Sequence, residues 1–198
     1  LTVFAALKQG YKSGSFNVST PPVPNEHNEF GDEKVQGGEV GVKSRLMDRQ
    51  LTFNVAGYYY KFTGLQVGAN VQAAGGITQT RTVNAGRARV YGVEIETAYR
   101  PAAIDGLNLR AAGNWNNAKY TKLTNIPCYG GQNVSEGCNL LFNPVANAGL
   151  GGFTAQDRSG VGLVRAPKWA VNFGFDYEMP VGEDMKLIFA NNNQYSSK

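Results

Sequence analysis

A period of two in the placement of apolar side chains constrains this chain more than any other feature. From Gln50 onward, Leu51, Phe53, Val55, Gly57 and Tyr59 alternate with Gln50, Thr52, Asn54, Ala56 and Tyr58, so an extended strand there carries one apolar and one largely polar face. The parity returns at Tyr91, Val93, Ile95, Thr97 and Tyr99, then at Leu107, Leu109, Ala111, Gly113 and Trp115. It returns again at Trp169, Val171, Phe173, Phe175 and Tyr177, and at Met185, Leu187 and Phe189, where Ile188 blurs it. Weaker strands are expected over residues 2–8 and 39–46, making seven. With 25 glycines and 11% aromatic residues, the composition favours turns and strands over helices. The expected fold class is all-β.

The connections sort by length. Tight links fall at Met47-Asp48, at residues 101–106 with Asp105-Gly106 as the turn signal, and at residues 180–183. Long ones cover residues 9–38, a Gly-rich break near 73–76, and residues 124–166. If the chain runs straight over 50–72 and again over 77–100, every short link lies at one end of the sheet and every long link at the other. That is an antiparallel up-and-down meander with unequal rims.

Counting from the short-link end, the apolar rows run from Leu51 to Tyr59, Tyr99 to Tyr91, Leu107 to Trp115, Tyr177 to Trp169 and Met185 to Tyr195. Four of the five span eight residues, which at about 3.3 Å each and a tilt of roughly 40° cover about 20 Å, close to the roughly 25 Å apolar band of a membrane barrel. Each row ends in Tyr or Trp at the long-loop rim, where amphipathic rings suit a boundary between hydrocarbon and water. A soluble β-sandwich also alternates, but it has no reason to align its rings at one height. The polar face reads as a wet interior, in which Glu96 is expected opposite Arg110 and Asp176 opposite Lys186.

A formal charge of +4 is too diffuse to indicate nucleic acid as a partner. No window supplies the run of about 18 apolar residues of a spanning helix, and Leu1-Thr2-Val3-Phe4 does not open like a signal peptide. Barrels close with an even number of strands, so seven suggest a piece of a longer chain. Cys128 and Cys138, the only cysteines, are expected to form a disulfide in an oxidising compartment. The alternative, a metal site, is poorly served by the lone His27 in a polar stretch far from both.

Three runs resemble the β-barrel of TonB-dependent outer-membrane receptors: Lys8-Gln9-Gly10-Tyr11-Lys12-Ser13-Gly14-Ser15-Phe16-Asn17; Glu39-Val40-Gly41-Val42-Lys43-Ser44 with Asp48-Arg49-Gln50-Leu51 after it; and Asn84-Ala85-Gly86-Arg87-Ala88-Arg89-Val90-Tyr91-Gly92-Val93-Glu94-Ile95-Glu96. The resemblance implies that residues 1–198 are a stretch from the later half of a transmembrane barrel of about 22 strands, with its plug domain and closing strands outside this stretch. It also implies a place in the outer membrane of a Gram-negative bacterium, contact with its lipid, and coupling through the plug to the TonB system. Uptake of a scarce, bulky nutrient, a ferric siderophore foremost, is the function implied. A passive porin-like barrel and a soluble β-sheet adhesion module are the alternatives. Gly92 is expected where the lumen is crowded by the plug. Glu94 and Glu96 face that lumen with Arg110, to meet the plug or to pair with that arginine.

No phosphate loop, nucleophile elbow or metal motif stands in the chain, and Gly160-Val161-Gly162-Leu163 lacks the third glycine. The chain is therefore not read as an enzyme, and no cofactor, metal or catalytic residue is expected. Ligand contact is assigned to the long-loop rim, to Arg81, Asn117, Tyr120, Tyr129 and Arg165, since Tyr and Arg suit an anionic or aromatic iron chelate. The Cys128 to Cys138 bridge would present Tyr129 at its tip.

Overall fold

A computed structural model describes residues 1–18, 28–72, 78–84, 86–144 and 149–197. His27 and the Gly-rich break at 73–76 lie outside the described residues. The strands in chain order are β1 (Thr2–Lys12), β2 (Ser15–Phe16), β3 (Glu29–Phe30), β4 (Glu33–Leu46), β5 (Leu51–Thr63), β6 (Gln66–Gln72) and β7 (Thr78–Asn84). They continue with β8 (Arg87–Tyr99), β9 (Leu107–Lys122), β10 (Ile126–Pro127), β11 (Leu140–Asn143), β12 (Gly152–Gln156), β13 (Trp169–Val181) and β14 (Met185–Ser196).

Seven of them form one sheet in the order β1-β4-β5-β8-β9-β13-β14, every neighbour antiparallel. Each strand pairs with the next wall strand in sequence, which is the meander that the alternation predicts. The long strands owe their length to unbroken two-residue periodicity and to β-branched and aromatic side chains that fit a pleated surface.

The sheet is a single layer. Val93, Ile95, Phe53, Phe173 and Phe175 all remain exposed, Phe173 to 55% of its surface. The buried apolar residues are small, such as Ala88, Ala118 and Ala155, with Leu123 the exception, and no large side chain is fully buried among the described residues. A sandwich would bury its inward rows, so this wall does not have a sandwich core.

Four expectations are corrected. The wall does not run straight over 50–72 and 77–100: it stops at Thr63 and resumes at Arg87, while β6 and β7 pair in a hairpin sheet of their own. The break falls at Gly64, whose φ of +66° leaves the strand region, with Asp32 O packed where a Cβ would stand. The connection at 9–38 is shorter than expected, because β1 and β4 keep pairing out to Lys12 and Glu33. Glu96 faces Ala112, and Arg110 faces Ala98, because the last pair before the turn is Tyr99 with Leu109, two residues further along the second strand than the expected register, which would pair Tyr99 with Leu107.

Lys186 faces Pro180, and Asp176 faces Ala190. Here Pro180 does not end its strand. Glu178 N donates to Gly106 O at 3.0 Å, so the imide nitrogen of Pro180, two residues on, points the same way, past the end of β9, where no ladder bond is lost.

The Met47-Asp48 link is confirmed at Met47–Gln50, with Met47, Asp48 and Arg49 all at positive φ and Gln50 N bonded to Met47 O at 3.0 Å.

Candidate functional site

The two faces of the wall differ in chemistry. The outward face carries a chain of rings near the long-connection rim: Tyr59 to Tyr91 at 6.2 Å, Tyr91 to Trp115 at 5.8 Å edge-to-face, and Trp115 to Trp169 at 6.4 Å. Register explains the continuity, since Tyr59 stands opposite Tyr91, and Val93 opposite Trp115, itself opposite Trp169. Rings at such separations attract beyond their buried area.

The inward face is polar. Lys8 Nζ meets Glu39 Oε1 at 2.8 Å, and Tyr60 donates its hydroxyl to Glu39 Oε2 at 3.4 Å. Tyr58 donates towards the Asn114 and Asn116 amide oxygens, each 3.2 Å away. Arg110 takes Asp176 as its partner at 2.9 Å, and Lys186 takes Glu178 at 3.3 Å. All six wall carboxylates, Glu33, Glu39, Glu94, Glu96, Asp176 and Glu178, occupy inward positions of the register.

Glycines shape this face. A Cβ at Gly92 would stand 2.5 Å from the Tyr58 hydroxyl and against Trp115 O, and a Cβ at Gly37 would stand 2.5 Å from the Tyr60 ring. Within the wall itself, the Tyr58 side chain, lying across two strands, already fills the space beside Gly92, where the plug is the expected neighbour. Glu94 and Glu96 are exposed, and Arg110 has gone to Asp176 on the other side, so the expected pairing of these glutamates with Arg110 is not made.

The rim is tied together by amides. Asn17 grips the backbone of Thr82 from both ends of its amide, Nδ2 to O at 3.0 Å and Oδ1 from N at 2.7 Å. Asn84 accepts from Gly31 N at 2.6 Å and donates to Gly64 O at 2.6 Å, while Gln66 Nε2 donates to Ser13 O at 3.0 Å and Gly31 O at 3.1 Å. These bonds hold the β1 to β4 connection against the β6–β7 hairpin.

The described residues of the 124–166 connection, the cap, carry a three-stranded sheet, β10-β12-β11. The expected bridge is present: Cys128 and Cys138 are disulfide-bonded with Cα atoms 5.8 Å apart. Inside it, Asn133 and Glu136 cap each other across one 3-10 turn, Asn133 Oδ1 accepting from Glu136 N at 3.0 Å and Glu136 Oε2 from Asn133 N at 3.0 Å. Beyond it, Ser159 holds Asp157 through its hydroxyl and its backbone N–H, keeping that carboxyl below its ordinary value.

The expected ligand residues are dispersed. Tyr129 is exposed within the disulfide loop, and Arg165 is exposed at positive φ. Tyr120 takes an inward position opposite Ala88, and Arg81 sits on β7 opposite Ala69. Asn117, in contrast, stands opposite Tyr91 in the outward row. The sequence reading missed the amide ties of Asn17, Asn84 and Gln66, because bonds from side chains to distant backbone leave no periodic trace. Among the described residues no group of three His, Cys, Asp or Glu side chains could hold a metal, and no helix is long and apolar enough to cross a membrane.

Comparison with known proteins places this architecture. Residues 1–197 match the family described as TonB dependent receptor-like, beta-barrel. No curated protein matches the sequence. Among solved structures, the ferric yersiniabactin uptake receptor FyuA from Yersinia pestis superposes with a TM-score of 0.59 at 18% identity, over 94% of this chain and 22% of that one. The copper transporter OprC superposes with a TM-score of 0.55 at 17% identity, over 90% of this chain and 22% of its own. The siderophore receptor PiuA from Acinetobacter baumannii gives a TM-score of 0.55 at 15% identity, over 88% and 21%. The chain thus spans about a fifth of each structure that it resembles.

Proposed function

Because the chain belongs to the TonB-dependent receptor-like β-barrel family, we propose that it is a wall segment of an outer-membrane receptor that imports a scarce, bulky nutrient with TonB-transmitted energy. The observation that carries this reading is the one-layer wall whose apolar face, with its chain of rings, is exposed while all of its carboxylates point the other way. Such a sheet is unfavourable in water and suited to lipid on one side and a wet lumen on the other.

The cargo we assign is a ferric siderophore. Of the three similar structures, one is a ferric yersiniabactin uptake receptor and one a siderophore receptor, and the rim offers Tyr120, Tyr129, Arg165 and Arg81, groups suited to an anionic, aromatic chelate. Asn117, in the outward row, is left out of that set. The test is deletion of the full-length receptor in its source bacterium, followed by uptake of radiolabelled iron as siderophore under iron limitation. Loss of uptake, restored by the gene, is expected; unchanged uptake sinks the cargo assignment.

Glu94 and Glu96 we assign to the plug. They are exposed on the lumen face and carry no ion pair among the described residues, so arginines or backbone N–H groups of a plug could meet them. Replacing both by Gln in the full-length receptor is expected to weaken plug retention in urea while leaving the barrel folded, and unchanged retention removes the assignment.

A further inference from the structure

Lys61, Arg89 and Lys119 form one row across three strands: Lys61 stands opposite Arg89, and Arg89 opposite Lys119. The row is outward, on the side of the rings, for Lys61 Nζ lies 5.7 Å from the Tyr59 ring centre and the Arg89 guanidinium 5.2 Å from that of Tyr91. All three side chains are exposed. Lys34 belongs to the same belt, 5.4 Å from the Tyr11 ring, and the next row pairs Arg87 with Lys122.

Like charges directly opposite each other in a sheet repel, and no opposite charge in the wall neutralises them. No carboxylate occupies an outward position of the seven strands, and none of the three cations has an ion-pair partner among the described residues. The row lies two residues, about 7 Å, beyond the rings that mark the edge of the hydrocarbon. That is the height of a lipid headgroup.

We propose that this row binds the phosphate of a membrane amphiphile, whose acyl chains lie down the wall over Val93, Ile95 and Val55. The inference rests on the outward face meeting lipid and goes beyond it by naming a charged headgroup and the three residues that hold it. Three cations converging on one anion from a fixed sheet outdo scattered surface lysines, since each contributes separately at a membrane surface.

The test uses the full-length receptor in phosphatidylcholine nanodiscs, with phosphatidic acid as the probe and native mass spectrometry as the count of retained lipid. Lys61→Gln/Arg89→Gln/Lys119→Gln is expected to bind phosphatidic acid about 100-fold more weakly than the parent. Lys8→Gln/Lys186→Gln, on the lumen face, is expected to bind as the parent does. Equal binding by the triple variant and the parent overturns the proposal, as does equal loss in the lumen-face control. Displacement by inorganic phosphate as readily as by the lipid also overturns it, by showing a site for a free anion. Where the triple variant does not fold, judged by heat-modifiable gel mobility, Arg89→Gln alone carries the same comparison.

Brominated phosphatidylcholine separates this from the underlying reading. A loss of quenched tryptophan signal in Trp115→Phe/Trp169→Phe shows the wall in lipid whatever the phosphate result; absence of that loss removes the membrane reading and the proposal together.

Discussion

The wall and the 124–166 cap solve the same problem, ordering a chain with little buried apolar surface, by opposite means. In the wall, long strands satisfy nearly every backbone group through the ladder and leave the side-chain rows for the solvents on either side. The cap has short strands, and its buried apolar residues among those described are only Cys138 and Ala155, so it depends on a covalent bridge, a reciprocal cap and side chains bonded to backbone. Order in the wall is therefore collective, and order in the cap is held by a few separable parts.

The contrast can be broken or sharpened in four ways. Cys128→Ser/Cys138→Ser removes a bridge between residues ten apart, which in the chain-entropy picture is worth about 3 kcal/mol. Hydrogen exchange should accelerate across 126–156 and stay unchanged in β5 and β8; acceleration in the wall as well would show that the two regions are one cooperative unit.

Gly92→Ala attacks the wall. The new methyl meets the Tyr58 hydroxyl at 2.5 Å and Trp115 O, and about 1 to 3 kcal/mol is expected from such overpacking. Gly57→Ala, whose nearest obstacle is 3.9 Å away, should be tolerated. Thermal unfolding of the two in the full-length receptor gives the difference, and equal midpoints would contradict the tight seat at Gly92.

Asn133→Ala deletes one half of the reciprocal cap, at a cost of about 1 kcal/mol. Faster proteolysis within the disulfide loop, with the bridge intact, is the expected sign. The smallest effect belongs to Asp157. Its carboxyl is held below the ordinary value by Ser159, so its contribution is present above the unfolded value and is lost as pH falls through the lowered one. Ser159→Ala should move the Asp157 carbon resonance titration upward; an unchanged titration would show that the contact is not made.

Most of the wall was legible in the sequence, because burial on one side and wetness on the other imprint a two-residue rhythm on Leu51 to Tyr59 and its counterparts. The height of the rings followed from the same counting. Register was legible only where the turn was. The connection after Tyr99 delays pairing until Leu109, two residues later than the expected register, and Pro180 reads as a stop until Glu178 is seen bonded to Gly106 O. The disulfide could be expected from composition alone. What escaped was whatever depends on two distant segments meeting: the Tyr58 ring over Gly92, Arg110 choosing Asp176, and the amides of Asn17 and Asn84. The split of residues 50–72 at Gly64 was also hidden, since Gln66 to Gln72 alternates well enough to pass for a continuation.

The amide ties at the rim bear on how such proteins can diversify. Carbonyls of Ser13, Gly31 and Thr82 are each claimed by a side chain from the other connection, so exchanging one connection for an unrelated sequence orphans acceptors in its neighbour. Swaps between relatives should succeed when residues 13–32 and 64–86 travel together and fail when either travels alone, which makes the pair a single unit of inheritance.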